Sequence, residues 1–304
     1  MQKELQHVAR LAKGSKWGRL LHDPIRYLNA LWYNKIRYPQ TKKGKLQTIN
    51  TFFGVSMNVV LPAGTDLYLL GAKSHDSEIR LAKLMILTLQ EGETFIDVGA
   101  HFGYFSLLAS KLLGENGRVL SIEASKVTSE VLMENTKRHK NITTKHLACT
   151  DTDQLISFYE FPVLYSEYNT LSPEQFEEAD WIKTNPPKEI QVEGKRLDHL
   201  IEELHLHPRF IKIDVEGAEL QVISGMEVLL QKESELYIVM EFLQDERGNA
   251  PHFAAAKRLA SFDFLPFIIQ TNGELKAISA SEIPSYLKTA KLESDNIVFK
   301  QINH

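Results

Sequence analysis

A doubly wound α/β fold with a mostly parallel sheet is predicted by three features of this chain. From Thr94 onward, short β-rich runs alternate with helical patterns, as expected for parallel strands joined by right-handed crossovers. One unit, Thr94–Leu113 (TFIDVGAHFGYFSLLASKLL), passes from an apolar run through Gly99 and Gly103 straight into a helical pattern. A later run, Phe210–Ile213, ends in the acidic turn Asp214-Val215-Glu216-Gly217-Ala218-Glu219 before another amphipathic helix. Ligands in such sheets sit beyond the carboxyl ends of the strands, and Asp97 and Asp214 would close two neighbouring ones.

Asp23-Pro24 opens the first clear helix, with Asp as N-cap and Pro at the first helical position. Ile25, Leu28, Leu31, Trp32 and Ile36 then recur at helical spacing, and Tyr27, Tyr33 and Tyr38 are interleaved with Arg26, Lys35 and Arg37. This mixture suits an anionic membrane surface or a polyanion. The plainer reading packs the apolar stripe on the body and leaves the basic face in water, as in any surface helix. Residues 46–70 read as two or three antiparallel strands punctuated by Gly54 and Pro62-Ala63-Gly64. Residues 78–90 read as a helix leading to the strand at Thr94.

After the β-rich Arg118–Ile122 come a helix over 126–140 and a weaker strand near His146–Cys149. Residues 160–190 break the rhythm: Tyr159, Phe161, Tyr165, Tyr168 and Trp181 mix with acids and prolines, as in a binding loop or lid. Asn185-Pro186-Pro187 is followed by Lys188 and not by a ring that could stack on an extruded base, so it too reads as loop. Leu236–Phe242 is a fifth strand with Glu241 near its end. A helix around Phe253–Ala260 and strands near Leu265–Ile269 and Asn296–Gln301 complete the pattern. The chain divides into residues 1–70, a basic helical arm with a small β-meander, and residues 71–304, the main domain.

The 43% hydrophobic and 24% charged content is that of a soluble globular protein. No apolar run is long enough to cross a bilayer, and the polar start lacks a signal-peptide core. The lone Cys149 excludes an intrachain disulfide and a multi-cysteine zinc site, which fits a reducing cytoplasm. Residues 1–50 carry 11 Lys/Arg against Glu4 and Asp23, a net +9, whereas the remaining residues carry a net −13. An acidic body argues against broad contact with a phosphate backbone, so no specific nucleic-acid partner is expected. Peripheral membrane contact through the basic arm stays open.

The glycine turn points to a nucleoside cofactor. A strand that turns through glycines into a helix brings backbone close to a ligand and leaves helix N–H groups free. The dinucleotide fingerprint requires G-x-G-x-x-G, and here His101 stands where its second glycine would meet a pyrophosphate. Glu123, at the end of the next strand and 20 residues beyond Gly103, is placed to accept both hydroxyls of an adenosine ribose. The alternatives are a glycine turn of an unrelated α/β protein and a solvated strand-end glutamate.

FIDVGAHFGYFS, the IEAS after the second strand, RLDHL at Arg196–Leu200 and FIKIDVEGAELQVISGM at Phe210–Met226 together resemble the FkbM-type methyltransferases, over about residues 75–300. The resemblance implies a Rossmann-like, seven-stranded, mostly parallel sheet, S-adenosylmethionine as cofactor and methylation of a hydroxyl on a sugar, glycan or secondary metabolite. It further implies that Asp97, Gly99, Ala100, His101, Gly103 and Tyr104 form the loop beside the methionine portion, that Glu123 binds the ribose, and that Ala124 and Ser125 flank the adenine. His101 replaces an asparagine frequent at that place. His75 and Glu78 fall in a segment that helps to close the cofactor site.

Methyl transfer to a hydroxyl gains from a base or a nearby metal. Asp214, Glu216 and Glu241 are the candidates, either as proton acceptor or as ligands of a divalent cation. Glu219 reads instead as a carboxylate at the N-terminus of the following helix. Two rival functions are a nicotinamide-dependent oxidoreductase and a membrane- or polyanion-binding protein with a vestigial cofactor fold.

Overall fold

The computed structural model describes residues 1–176, 179–233, 235–244 and 249–302. In chain order the strands are β1 (Lys45–Asn50), β2 (Ser56–Leu61), β3 (Thr94–Val98), β4 (Arg118–Glu123), β5 (Ile142–His146), β6 (Ala148–Cys149), β7 (Gln154–Glu160), β8 (Lys188–Lys195), β9 (Phe210–Ile213), β10 (Tyr237–Leu243), β11 (Phe264–Ile269), β12 (Leu275–Ala277) and β13 (Ser294–Gln301). The main sheet has the order β12-β11-β13-β10-β9-β3-β4-β5. Its five strands from β10 to β5 are parallel, and β13 inserts antiparallel between β10 and β11. The fold is therefore the Rossmann-like one expected, with one addition: an eighth strand, β12, formed by a short hairpin on β11.

Strands β3, β9 and β10 are almost wholly apolar and buried, as a parallel sheet covered on both faces requires. Lys212 is the exception within β9, where it pairs in register with Asp97 of β3. Helices Asp76–Thr88 and Tyr104–Leu113 pack in one apolar cluster that takes in Phe95 and Phe210. Ile211, Val222 and Leu259 belong to a second cluster, with Ile283. Leu5, Val8, Tyr33, Tyr38, Ile49 and Met57 join the first cluster, so residues 1–70 share a core with the main domain.

Several expectations need correction. The third strand proposed for residues 46–70 is a helix, Thr65–Leu70, which begins directly after Pro62-Ala63-Gly64. The helix expected after β9 is two short helices, Glu219–Ser224 and Glu227–Lys232, separated at Gly225, where a Cβ would lie 2.2 Å from the Thr150 carbonyl oxygen. A small sheet, β6-β8-β7, was not foreseen. The apolar stripe of helix Pro24–Trp32 does not pack on the body: Ile25, Leu28, Leu31, Trp32 and Ile36 are exposed. No helix among the described residues is long and apolar enough to cross a membrane.

Candidate active site

Loops at the carboxyl ends of β3, β4, β9 and β10 line a cavity of about 570 Å³, within the ~300–1,000 Å³ usual for small-molecule sites. On one side the turn after β3 folds over the end of β4, with Gly99 N and Ala100 N both donating to Ile122 O (3.0 and 2.9 Å). Gly99 has φ +77°, and a Cβ there would stand 1.8 Å from the Asp214 carbonyl oxygen. Only glycine lets the two loops meet. His101 N donates to Glu123 Oε2 (2.8 Å) and Ser125 N donates to Glu123 Oε1 (2.9 Å), so one carboxylate is fixed by two backbone amides. Burial pushes the Glu123 carboxyl up to about 7 against the pull of those two bonds. Burial also pushes the His101 imidazole down to about 4, leaving it neutral at pH 7, with Nε2 3.1 Å from Ser166 Oγ. Beside Glu123, Ala124, Ala148, Phe158 and Leu171 form an apolar stretch of the cavity wall.

Of the residues singled out in the sequence, Glu78, Gly99, His101, Glu123, Ala124, Asp214, Glu216 and Glu241 line the cavity, as does His75. Asp97, Ala100, Gly103, Tyr104 and Ser125 do not. Asp97 is buried behind the wall, accepting from Ser106 Oγ (2.6 Å) and facing Lys212 Nζ at 3.7 Å. The Tyr104 ring turns away into a cluster with Phe52, Phe53 and Phe105. Gly103 has φ +87° and lies against Leu132. Ser125 caps the helix Lys126–Thr136 and donates to Glu160 Oε1 (2.6 Å).

The other side is built from charged side chains. Asp214, Glu216 and Glu241 converge, each offering an oxygen within 4.8 Å of the others. Lys212, buried in β9, donates to Asp214 Oδ2 (2.9 Å). Burial raises the Asp214 carboxyl, but the charge and hydrogen bond of the Lys212 ammonium, with Lys73 adding to them, hold the group below the usual carboxylate range. A second group was missed in the sequence. Lys73 Nζ lies 2.5 Å from Glu167 Oε1 and 3.3 Å from Glu78 Oε1, while Asp66 accepts from Ser74 N (3.1 Å). Burial pushes Glu78 up to about 7, with Lys73 pulling the other way. Lys212 carried a visible signal, a lone charge in an apolar strand; Asp66, Lys73 and Glu167 carried none, because tertiary structure alone unites them. Glu219 stays out of the cavity and accepts from Gly217 N (3.1 Å), ahead of its own helix.

The Methyltransferase FkbM domain model matches residues 97–271, more than half of the sequence and spanning both sides of this cavity. The chain belongs to the FkbM methyltransferase family. Its cofactor is accordingly S-adenosylmethionine, and methyl transfer displaces the hydride-transfer alternative. No curated protein matches the sequence. Among solved structures, this FkbM methyltransferase is similar to a precorrin-6y C5,15-methyltransferase from Geobacter metallireducens, at 14% identity and TM-score 0.39, covering 74% of this chain and 88% of that one. It is similar to an O-methyltransferase from Bacillus cereus in complex with SAH, at 12% identity and TM-score 0.37, covering 72% and 78%. An S-adenosylmethionine-dependent O-methyltransferase from Thermotoga maritima gives 12% identity and TM-score 0.39, covering 88% and 82%. These likenesses are distant, and the assignment rests on the family match.

Proposed function

We propose that this FkbM methyltransferase methylates a hydroxyl of a sugar, glycan or hydroxyl-rich metabolite in the cytoplasm. The observation that carries the reading is the convergence of Asp214, Glu216 and Glu241 at the ends of β9 and β10, opposite the backbone-held Glu123. Carboxylates are strong acceptors for hydroxyl donors, and a cavity rich in them favours an acceptor that offers several.

The β3–β4 side fits the cofactor. Each Glu123 oxygen accepts one backbone N–H and keeps a lone pair for one hydroxyl of a ribose cis-diol. The apolar stretch at Ala124, Ala148, Phe158 and Leu171 suits a purine face. When bound, S-adenosylmethionine supplies an electrophilic methyl group on a positively charged sulfur. Asp214 is the proposed proton acceptor for the substrate hydroxyl: it is ionised at neutral pH, and Lys212 fixes its orientation. Glu216 and Glu241 would orient the acceptor by accepting from its other hydroxyls. The mutual reach of the three carboxylates also favours a second reading, in which they hold a divalent cation that polarises the hydroxyl.

The test is transfer of a labelled methyl group from S-adenosylmethionine to panels of glycans and hydroxylated metabolites. With the acceptor found, Asp214→Asn should lower kcat by about 10²-fold or more while S-adenosylhomocysteine affinity holds. Full turnover in Asp214→Asn and in Glu216→Gln would refute the assignment. Loss of activity in EDTA, restored by Mg²⁺, would select the metal reading.

A further inference from the structure

The helix Pro24–Trp32 leaves its larger apolar stripe in water. Its inward face is narrow, Ala30 and Tyr33 being buried, and is flanked by polar side chains that bond to the body: Arg26 Nη1 donates to Tyr68 O (3.4 Å) and Asn29 Nδ2 to Tyr68 Oη (2.8 Å). In the π turn Tyr33–Arg37 that continues the helix, Asn34 Nδ2 donates to Thr65 Oγ1 (3.0 Å). The apolar face looks outward, with Ile25 81%, Leu28 57%, Trp32 48% and Ile36 51% exposed, at spacings that put all four on one side. The preceding helix, Lys16–His22, adds Trp17 at 73% and Leu21 at 80%. Single exposed apolar residues are ordinary, but these six large ones within residues 17–36, two of them tryptophans, mark a contact surface.

The charge around this face selects the partner. Between Pro24 and Asn50 there are six Lys/Arg and no Asp/Glu. Lys35, Arg37, Lys42 and Lys43 are exposed. An apolar stripe bearing Trp, Leu and Ile, flanked by cations, matches a bilayer interface with anionic headgroups, where rings and aliphatic chains enter the acyl boundary and cations meet lipid phosphates. Arg19, in the same segment, also lines the rim of the cavity, so the docked face lies beside the active site.

We propose that residues 17–36 form a peripheral docking surface for anionic lipid bilayers. The full chain should co-sediment with vesicles of phosphatidylcholine mixed with phosphatidylglycerol, and much less with phosphatidylcholine alone. Binding should weaken with salt, and each cation removed among Lys35, Arg37, Lys42 and Lys43 should cost about fivefold in partitioning. The variant Ile25→Ser/Leu28→Ser/Trp32→Ser, altered only at exposed positions, should lose at least about tenfold while binding S-adenosylhomocysteine as the parent does. As a second measurement on a conservative background, bromine-labelled lipid should quench the parent's tryptophan fluorescence, and Trp17→Phe/Trp32→Phe should abolish that quenching. Absence of vesicle binding by the parent, or equal binding by the triple variant, would overturn the proposal. So would a concentration-dependent dimer that the triple variant disperses, which assigns the face to a second copy. Tight oligonucleotide binding without vesicle binding would overturn it in favour of a polyanion. Because none of the results that would overturn it reads methyl transfer or cofactor binding, its failure would leave the methyl-transfer reading untouched.

Discussion

On one side of the cavity a single stretch, Gly99 to Ala124, holds the polar contacts, with Ala148, Phe158 and Leu171 as the apolar stretch beside it, whereas the other side draws on segments around residues 66–78, 166–169, 212–218 and 241. The first is made by main chain: two amides hold one carboxylate, and a glycine turn sets its position. The second is made by side-chain ion pairs, Lys212 with Asp214 and Lys73 with Glu78 and Glu167. A site fixed by backbone hydrogen bonds recognises a constant ligand. One fixed by paired side chains can be retuned by a few substitutions, which suits the acceptor contacts proposed for Asp214, Glu216 and Glu241.

The division can be broken by substitution on either side. The largest effect is expected for Glu123→Gln. An amide cannot serve both the His101 and Ser125 N–H groups as a carboxylate does, and it loses charge-assisted bonds to the ribose. S-adenosylhomocysteine affinity should fall about 10–100-fold, from ~1.5–3 kcal/mol of lost interaction, as read by titration calorimetry. Unchanged affinity would remove the ribose assignment. Lys73→Met should act on the other wall, leaving Glu78 and Glu167 close together without their cation. If this group faces the acceptor, contrary to the expectation that Glu78 helps to close the cofactor site, the acceptor KM should rise by about tenfold, corresponding to ~1.4 kcal/mol, with donor affinity unchanged. A matching fall in donor affinity would erase the contrast between the walls.

The smallest effect is a pH dependence of stability. Burial raises Glu78, Glu123 and Glu219 to about 7 from an ordinary 4.5. Below about pH 4.5 these groups are protonated in both folded and unfolded chains, and the folded form is favoured. Between about 4.5 and 7 the unfolded chain releases protons that the folded one keeps, so their contribution declines as pH rises and is gone above about 7. Thermal unfolding of the ligand-free protein should shift downward across that window. Glu219→Gln, outside the cavity, should flatten the slope; an unaltered slope would exclude Glu219 as a contributor.

What could be read from sequence follows the same division. The β3 turn, Glu123 and the acidic turn after β9 are local patterns with strict backbone requirements, so spacing alone located them. Lys73 and Glu167 are 94 positions apart, and no periodicity joins them. Strands β7 and β8 escaped notice because much of each faces water and the apolar face of each offers only two aliphatic or aromatic residues, Ile156 with Phe158 and Ile190 with Val192. Tyr104 sits at the position the family pattern marks, yet Phe52 and Phe53, from the segment outside that pattern, draw its ring away. The helix at Pro24 is the clearest case. Its spacing revealed an apolar face, but burial of Ala30 and Tyr33 and the bonds to Tyr68 and Thr65 decide which face turns inward.

The contact at Gly99 reaches further than the turn it permits. Asp214 N donates to Val98 O (3.0 Å), and the Asp214 carbonyl leaves no space for even a methyl group over Gly99. The turns after β3 and β9 are thus bolted together through their main chains and must travel as one piece. Replacing the Asp214 side chain can silence it, yet the distance of its backbone from the Gly99 turn stays set by the sheet.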